Sequence, residues 1–149
     1  HDPGAFEQLL ATARAAMRSE RPGGELVTVF GCGGDRDRGK RPLMLQAALL
    51  SSHRVVVTSD NPRSEDARAI ADEVLAGSEP GRRVVVELDR SRAIENALAE
   101  ASADDVIMIL GKGHEPYQIV GAQRVPYSDH EAVREALARR AKEARDGVA

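Results

Sequence analysis

The sequence predicts an α/β domain, a mostly parallel sheet with helices on both faces and an antiparallel hairpin near the C-terminal end. Three observations carry the prediction. Short aliphatic runs at residues 26–30, 54–58, 83–88 and 106–110 alternate with stretches of helical periodicity. The run at 26–30 is almost continuously apolar, as expected for a strand covered on both faces, and 54–58 reads as a second buried strand. Three of them lead directly into charged loops, which right-handed crossovers would place at one carboxyl edge. Together these describe a Rossmann-like, three-layer domain.

Phe6, Leu9, Leu10, Ala13 and Met17 recur at helical spacing behind Pro3, so residues 3–19 read as an amphipathic helix. Pro22-Gly23-Gly24 ends it, and the first strand, residues 26–30, follows. Pro42 suits the start of a helix that buries Leu43, Met44, Ala47 and Leu50 ahead of the second strand. Ser64 reads as an N-cap with Glu65 and Asp66 in the first turn, and Ile70, Val74 and Leu75 form the buried stripe as far as Gly77. After the third strand, Ile94, Ala97 and Leu98 mark another helix. An acidic turn at Asp104-Asp105 precedes the fourth strand. Residues 117–120 and 123–126, joined by Gly121-Ala122, read as a hairpin extending the sheet in antiparallel sense. Asp129 caps a last helix to about Ala144, with Val133 and Leu137 inward.

Composition narrows the function. The 149 residues fit one domain, 1–149, with no repeat and only residues 77–81 resembling a linker. No apolar run approaches the roughly 20 residues of a membrane span. A net charge of −3 with interleaved signs offers no broad basic surface, so neither nucleic acid nor membrane is expected as a partner. Three per cent aromatic residues and no Trp disfavour base stacking. One cysteine excludes an internal disulfide and suits a reducing cytoplasm.

The loops carry the chemistry. They are Gly31-Cys32-Gly33-Gly34-Asp35-Arg36-Asp37-Arg38-Gly39-Lys40, then Asp60-Asn61-Pro62-Arg63, then Gly111-Lys112-Gly113-His114-Glu115. Residues 34–40 match G-x-x-x-x-G-K, but residue 41 is Arg where a phosphate loop needs Ser or Thr, and two aspartates would repel phosphate. The dinucleotide fingerprint fails for want of its last glycine. Cations and anions mixed in one place suit a zwitterion: Arg36 and Arg63 can grip carboxylates in two-pronged fashion, and Glu115, Asp35 or Asp60 can meet an amine. The alternative is plain loop chemistry, with Asp35 and Asp37 neutralising Arg36 and Arg38, and Lys40 and Lys112 in solvent. His114 has no second ligand at metal spacing, so no metal site is expected, and Cys32 reads as a packed residue. No catalytic residue can be assigned.

In these blocks the chain resembles the carboxyl-terminal domain of the Mur ligases, of the MurE type that adds the third peptide residue to the peptidoglycan precursor. The three loops, with residues 41–44, Glu65-Asp66 and Tyr117-Gln118, follow that family's order and spacing. The resemblance implies an ATP-dependent ligase that adds meso-diaminopimelate to UDP-N-acetylmuramoyl-L-alanyl-D-glutamate through an acyl phosphate. It further implies that Arg36, Asp60, Asn61, Pro62, Arg63, Gly111 and Glu115 hold the amino acid. Gly33, Gly34, Lys40 and His114 would shape the loops or face ATP. ATP and Mg2+ would be bound mainly by a central ATPase domain that, like the UDP-binding domain, is absent from this stretch. The domain alone would then bind no cofactor and turn nothing over. Arg63 resembles the form associated with diaminopimelate rather than L-lysine. The lysine-adding ligase and a stand-alone amino-acid-binding or regulatory module are the alternatives. His1-Asp2-Pro3 resembles the end of a segment preceding this domain in the family, with Asp2 and Gly4 departing from it.

Overall fold

The computed structural model describes residues 2–147; His1 of the resembling N-terminal segment lies outside them. In chain order the elements are α1 (Pro3–Glu20), β1 (Leu26–Phe30), α2 (Lys40–Ser51), β2 (Arg54–Val57), α3 (Ala67–Leu75) and β3 (Arg83–Val86). Then come α4 (Arg90–Glu100), β4 (Val106–Leu110), β5 (Tyr117–Val120), β6 (Gln123–Pro126) and α5 (Asp129–Asp146). Four strands form a parallel sheet in the order β3-β2-β1-β4. The order reverses between β1 and β4, the kind of switch point beside which open α/β sheets bind ligands.

Period-two alternation divides the core into two layers. Leu26, Phe30, Val55 and Val57 point to one face, against Phe6, Leu10 and Met17 of α1, Met44, Leu45 and Ala48 of α2 and Val74 of α3. Val27, Val29 and Val56 point to the other, against Ala93, Ile94 and Ala97 of α4 and Ala132 of α5. Every residue of β1 and β2 is buried between the two layers, which is why these strands needed continuous apolar sequence. Fully buried leucines such as Leu10 and Leu45 each contribute about 1.5–3 kcal/mol. In register, Phe30 lies beside Val57 and Leu110, so the chain leaves β1, β2 and β4 at one edge.

Several local expectations are corrected. Asp66, not Ser64, caps α3, accepting from the Ala69 N–H, while Ser64 is turned towards Asp35. Ser128, not Asp129, caps α5, and the Asp129 carboxylate goes to Arg90 instead. α2 begins at Lys40, two residues before Pro42, and β2 and β3 stop short of residues 58 and 88. Leu43, Leu50 and Leu137 are exposed, because more apolar positions recur than the sheet can cover. The hairpin β5–β6 is a separate two-stranded sheet, touching the rest through a parallel bridge between Arg63 and Val120. No helix among the described residues is long and apolar enough to cross a membrane.

Candidate functional site

The loop after β1 is held by its own backbone and by a buried arginine. Gly34 donates to the Asn61 carbonyl at 2.8 Å, and its Cα passes so close to Pro62 that a Cβ would sit 1.8 Å from the Pro62 oxygen. Only glycine fits there. Asp35 holds a left-handed φ of 53°, fixed by Ser64 Oγ donating to its carboxylate at 2.5 Å and by its own N–H donating to Glu65 at 2.6 Å. Arg41, 1% exposed, donates to both oxygens of Glu65, to Glu73 at 2.8 Å and to the Gly33 carbonyl at 2.9 Å. The hydrogen bonds and charge of Arg41 pull the Glu65 carboxyl down to about 2. So Asp35 does not neutralise Arg36, and Arg38 pairs with Glu73 rather than Asp37.

This clamp decides the phosphate question. The N–H groups of Gly34, Asp35, Gly39, Lys40 and Arg41 all donate within the protein, so they cannot cradle a phosphate. Arg41 also fills the position where magnesium would need a hydroxyl. Residues 34–41 therefore do not form a phosphate loop of the G-x-x-x-x-G-K kind.

The loop after β2 is shaped by the hairpin. The Arg63 N–H donates to the Ile119 carbonyl at 3.0 Å and Gly121 donates back to the Arg63 carbonyl at 2.6 Å. These bonds hold Arg63 at φ 52°, a strained value for a non-glycine residue. Its guanidinium donates to the Gly34 carbonyl at 2.9 Å, and a Cβ on Gly33 would stand 2.9 Å from it. Gln118 secures the Asp60 carbonyl at 3.0 Å. The separate hairpin is therefore a brace for residues 60–63.

The loop after β4 brings the third part. Lys112 is buried, with Nζ 3.0 Å from Asp60 Oδ1 and 2.9 Å from Asn61 Oδ1; Glu115 Oε2 lies 3.7 Å away. Asn61 Nδ2 donates to Glu115 Oε2 at 3.3 Å. Beneath them Arg90, 2% exposed, joins three elements: both oxygens of Asp129 at 2.8 and 2.9 Å, and the carbonyls of Ser59 and Leu110 at 3.1 Å each. Burial pushes the Asp129 carboxyl up, but the Arg90 bonds and charge outweigh it and leave it below the ordinary value. Burial, and then the Asp129 bond, push the Tyr127 phenol up.

Between the three loops lies a cavity of about 280 Å³ lined by Gly33, Arg36, Asp60, Asn61, Arg63, Gly111 and Glu115. Of the residues expected to hold an amino acid, only Pro62 is outside the lining; it is buried behind, against Gly34. Lys40 is exposed and lines a neighbouring pocket of about 210 Å³ with Cys32, Arg36 and Met44. His114 faces away, stacked on His130 with centroids 5.2 Å apart. Cys32 is partly buried, and burial pushes its thiol up to about 11, which leaves little thiolate near neutral pH. Among the described residues no group of three His, Cys, Asp or Glu is placed to hold a metal ion. Chemically the cavity offers guanidinium groups for carboxylates and the half-exposed Glu115 carboxylate for an ammonium.

Sequence reasoning missed Lys112, Arg41 and Arg90. Lys112 had one available signal, a cation between two glycines directly after an aliphatic run; the two arginines look like ordinary helix N-terminal residues.

Residues 1–113 match the sequence model of the family described as Mur ligase, glutamate ligase domain. The chain is 52% identical over 142 residues to the UDP-N-acetylmuramoyl-L-alanyl-D-glutamate--2,6-diaminopimelate ligase of Acidovorax sp. (strain JS42), covering 94% of this chain and 28% of that protein. Identity is 50% over 140 residues to the enzyme of the same name from Parasynechococcus marenigrum (strain WH8102), covering 94% of this chain and 27% of that one. A solved structure of a ligase with this name superposes with a TM-score of 0.84 at 43% identity, over 93% of this chain and 28% of that one. The chain thus spans little more than a quarter of the length of these relatives.

Proposed function

The chain belongs to the Mur ligase family, through the glutamate ligase domain, and from that premise we propose that it is the carboxyl-terminal, amino-acid-binding domain of a meso-diaminopimelate-adding ligase. The observation that carries the reading is the cavity of about 280 Å³ in which Arg36, Arg63 and Glu115 converge from three loops. A diamino diacid presents two carboxylates and two amines, and the cavity offers complementary charges for both. In this reading Arg63 and Arg36 take carboxylates, Glu115 takes the ammonium distant from the reaction, and the other amine is left free to attack. Gly33 and Gly111, without side chains, let the ligand lie against the backbone.

L-Lysine lacks the distal carboxylate, so a guanidinium at Arg63 held by the braced loop would be left without its partner. Mismatches of this type reject an analogue by roughly 10⁴-fold. The names of the relatives favour the same choice over lysine. Activation of the D-glutamate carboxylate of UDP-N-acetylmuramoyl-L-alanyl-D-glutamate, with ATP and Mg2+, falls in this reading to domains outside this chain. The cytoplasm follows from the nucleotide-linked substrates. This chain's part is to bind the amino acid, fix its carboxylates and aim its amine.

The test is ADP release by the protein that carries this domain together with its ATPase and UDP-binding domains, with the dipeptide precursor supplied. Turnover that requires meso-diaminopimelate and ignores L-lysine is expected. Turnover that does not depend on diaminopimelate would refute the proposal.

A further inference from the structure

We infer that Lys112 is a positioning residue that decides which end of the Asn61 carboxamide, and which of two carboxylates, is presented to the bound amino acid; this rests on the site reading above. An ammonium has donors only. At 2.9 Å from Asn61 it must face the carbonyl oxygen, and the Ile119 N–H converges on the same atom at 3.0 Å. Two donors on Oδ1 force Nδ2 the other way, where it meets Glu115 Oε2 at 3.3 Å. The cavity wall at Asn61 is thus a donor surface, suited to a ligand carboxylate and to steadying Glu115.

The same ammonium engages Asp60 at 3.0 Å, and both side chains are buried, 0% and 3% exposed. Asp60 therefore serves the scaffold, whereas the Glu115 side chain, 42% exposed, is the carboxylate left to meet an ammonium. Asp60 and Asn61 were both candidate ligand residues; the geometry gives them different work. Removing Lys112 would let the carboxamide turn over and return the Asp60 charge to the cavity, which would then hold two competing anions against the ligand carboxylates.

The chain has two asparagines, and exposed Asn96 serves as an internal reference for the side-chain amide of Asn61 in the spectrum of 15N-labelled protein. In the wild type the Asn61 NH2 pair should stand apart from that of Asn96; coincidence of the two would overturn the proposal without any variant. Lys112→Met strands Asp60 and is expected to unfold readily, so the informative variant is Lys112→Met/Asp60→Leu, which replaces the buried pair by apolar groups. Its melting temperature should return close to wild type while the Asn61 pair moves to the Asn96 position. In titrations with meso-diaminopimelate, affinity should stay down on the order of tenfold or more, the loss expected when a charge-assisted contact goes. Wild-type affinity, or an unmoved Asn61 signal, in the double variant would overturn the positioning role. If wild type shows the displaced Asn61 signal but no response to diaminopimelate, the role of Lys112 on Asn61 stands and the ligand assignment fails.

Discussion

Replacing Gly34 by alanine tests whether the site depends on close contact between two loops. The new Cβ would lie 1.8 Å from the Pro62 oxygen, 2.6 Å from its carbonyl carbon and 3.3 Å from its Cα. All three are backbone atoms, so no rotamer change relieves the clash. The loops would have to part by about 1.6 Å to reach ordinary contact, which also breaks the 2.8 Å bond from Gly34 to Asn61. Overpacking costs about 1–3 kcal/mol and the hydrogen bond about 1 kcal/mol, together roughly 2–4 kcal/mol. For a domain of this size that lowers the melting temperature by about 4–16 °C. Gly23→Ala is the control, since nothing lies within 4 Å of its Cβ position. Thermal unfolding followed by circular dichroism reads both variants. A Gly34→Ala melting point indistinguishable from that of Gly23→Ala would refute the close-contact argument.

Arg90→Met should cost about 3–5 kcal/mol in denaturant unfolding, because it strands the buried Asp129 carboxylate and the carbonyls of Ser59 and Leu110; a loss below 1 kcal/mol would show that water replaces it. The folded Glu65 carboxyl is depressed to about 2, so the clamp to Arg41 stabilises fully above the ordinary carboxylate value and fades only as pH falls from there towards 2. Unfolding curves for Glu65→Gln and wild type should therefore differ at pH 6 and converge near pH 2; a constant difference would contradict the assignment. Cys32, with its thiol at about 11, should react with iodoacetamide at pH 8 about a hundredfold more slowly than a free cysteine. Reaction at the free rate would mean that the loop opens.

The alternation of elements, the parallel sheet and the loops that share one edge could all be read from the local pattern of residues. Those features follow from local periodicity: a run such as Leu26–Phe30 must be covered on both faces wherever it sits. The convergence of the candidate residues on one cavity was legible for a related reason, since Arg36, Asn61, Arg63 and Glu115 lie in loops that follow strand ends the parallel topology aligns. Cap choice was less legible, because Ser64 and Asp66 are both good caps and the pull of Asp35 on Ser64 comes from 29 residues away. The tertiary structure alone shows which charges are left open in the cavity and which are tied into the scaffold. Lys112 and Asp60, Arg41 and Glu65, and Arg90 and Asp129 are each separated by tens of residues. A charge belongs in water until a partner at the right distance makes burial tolerable, and no local pattern records where that partner will stand.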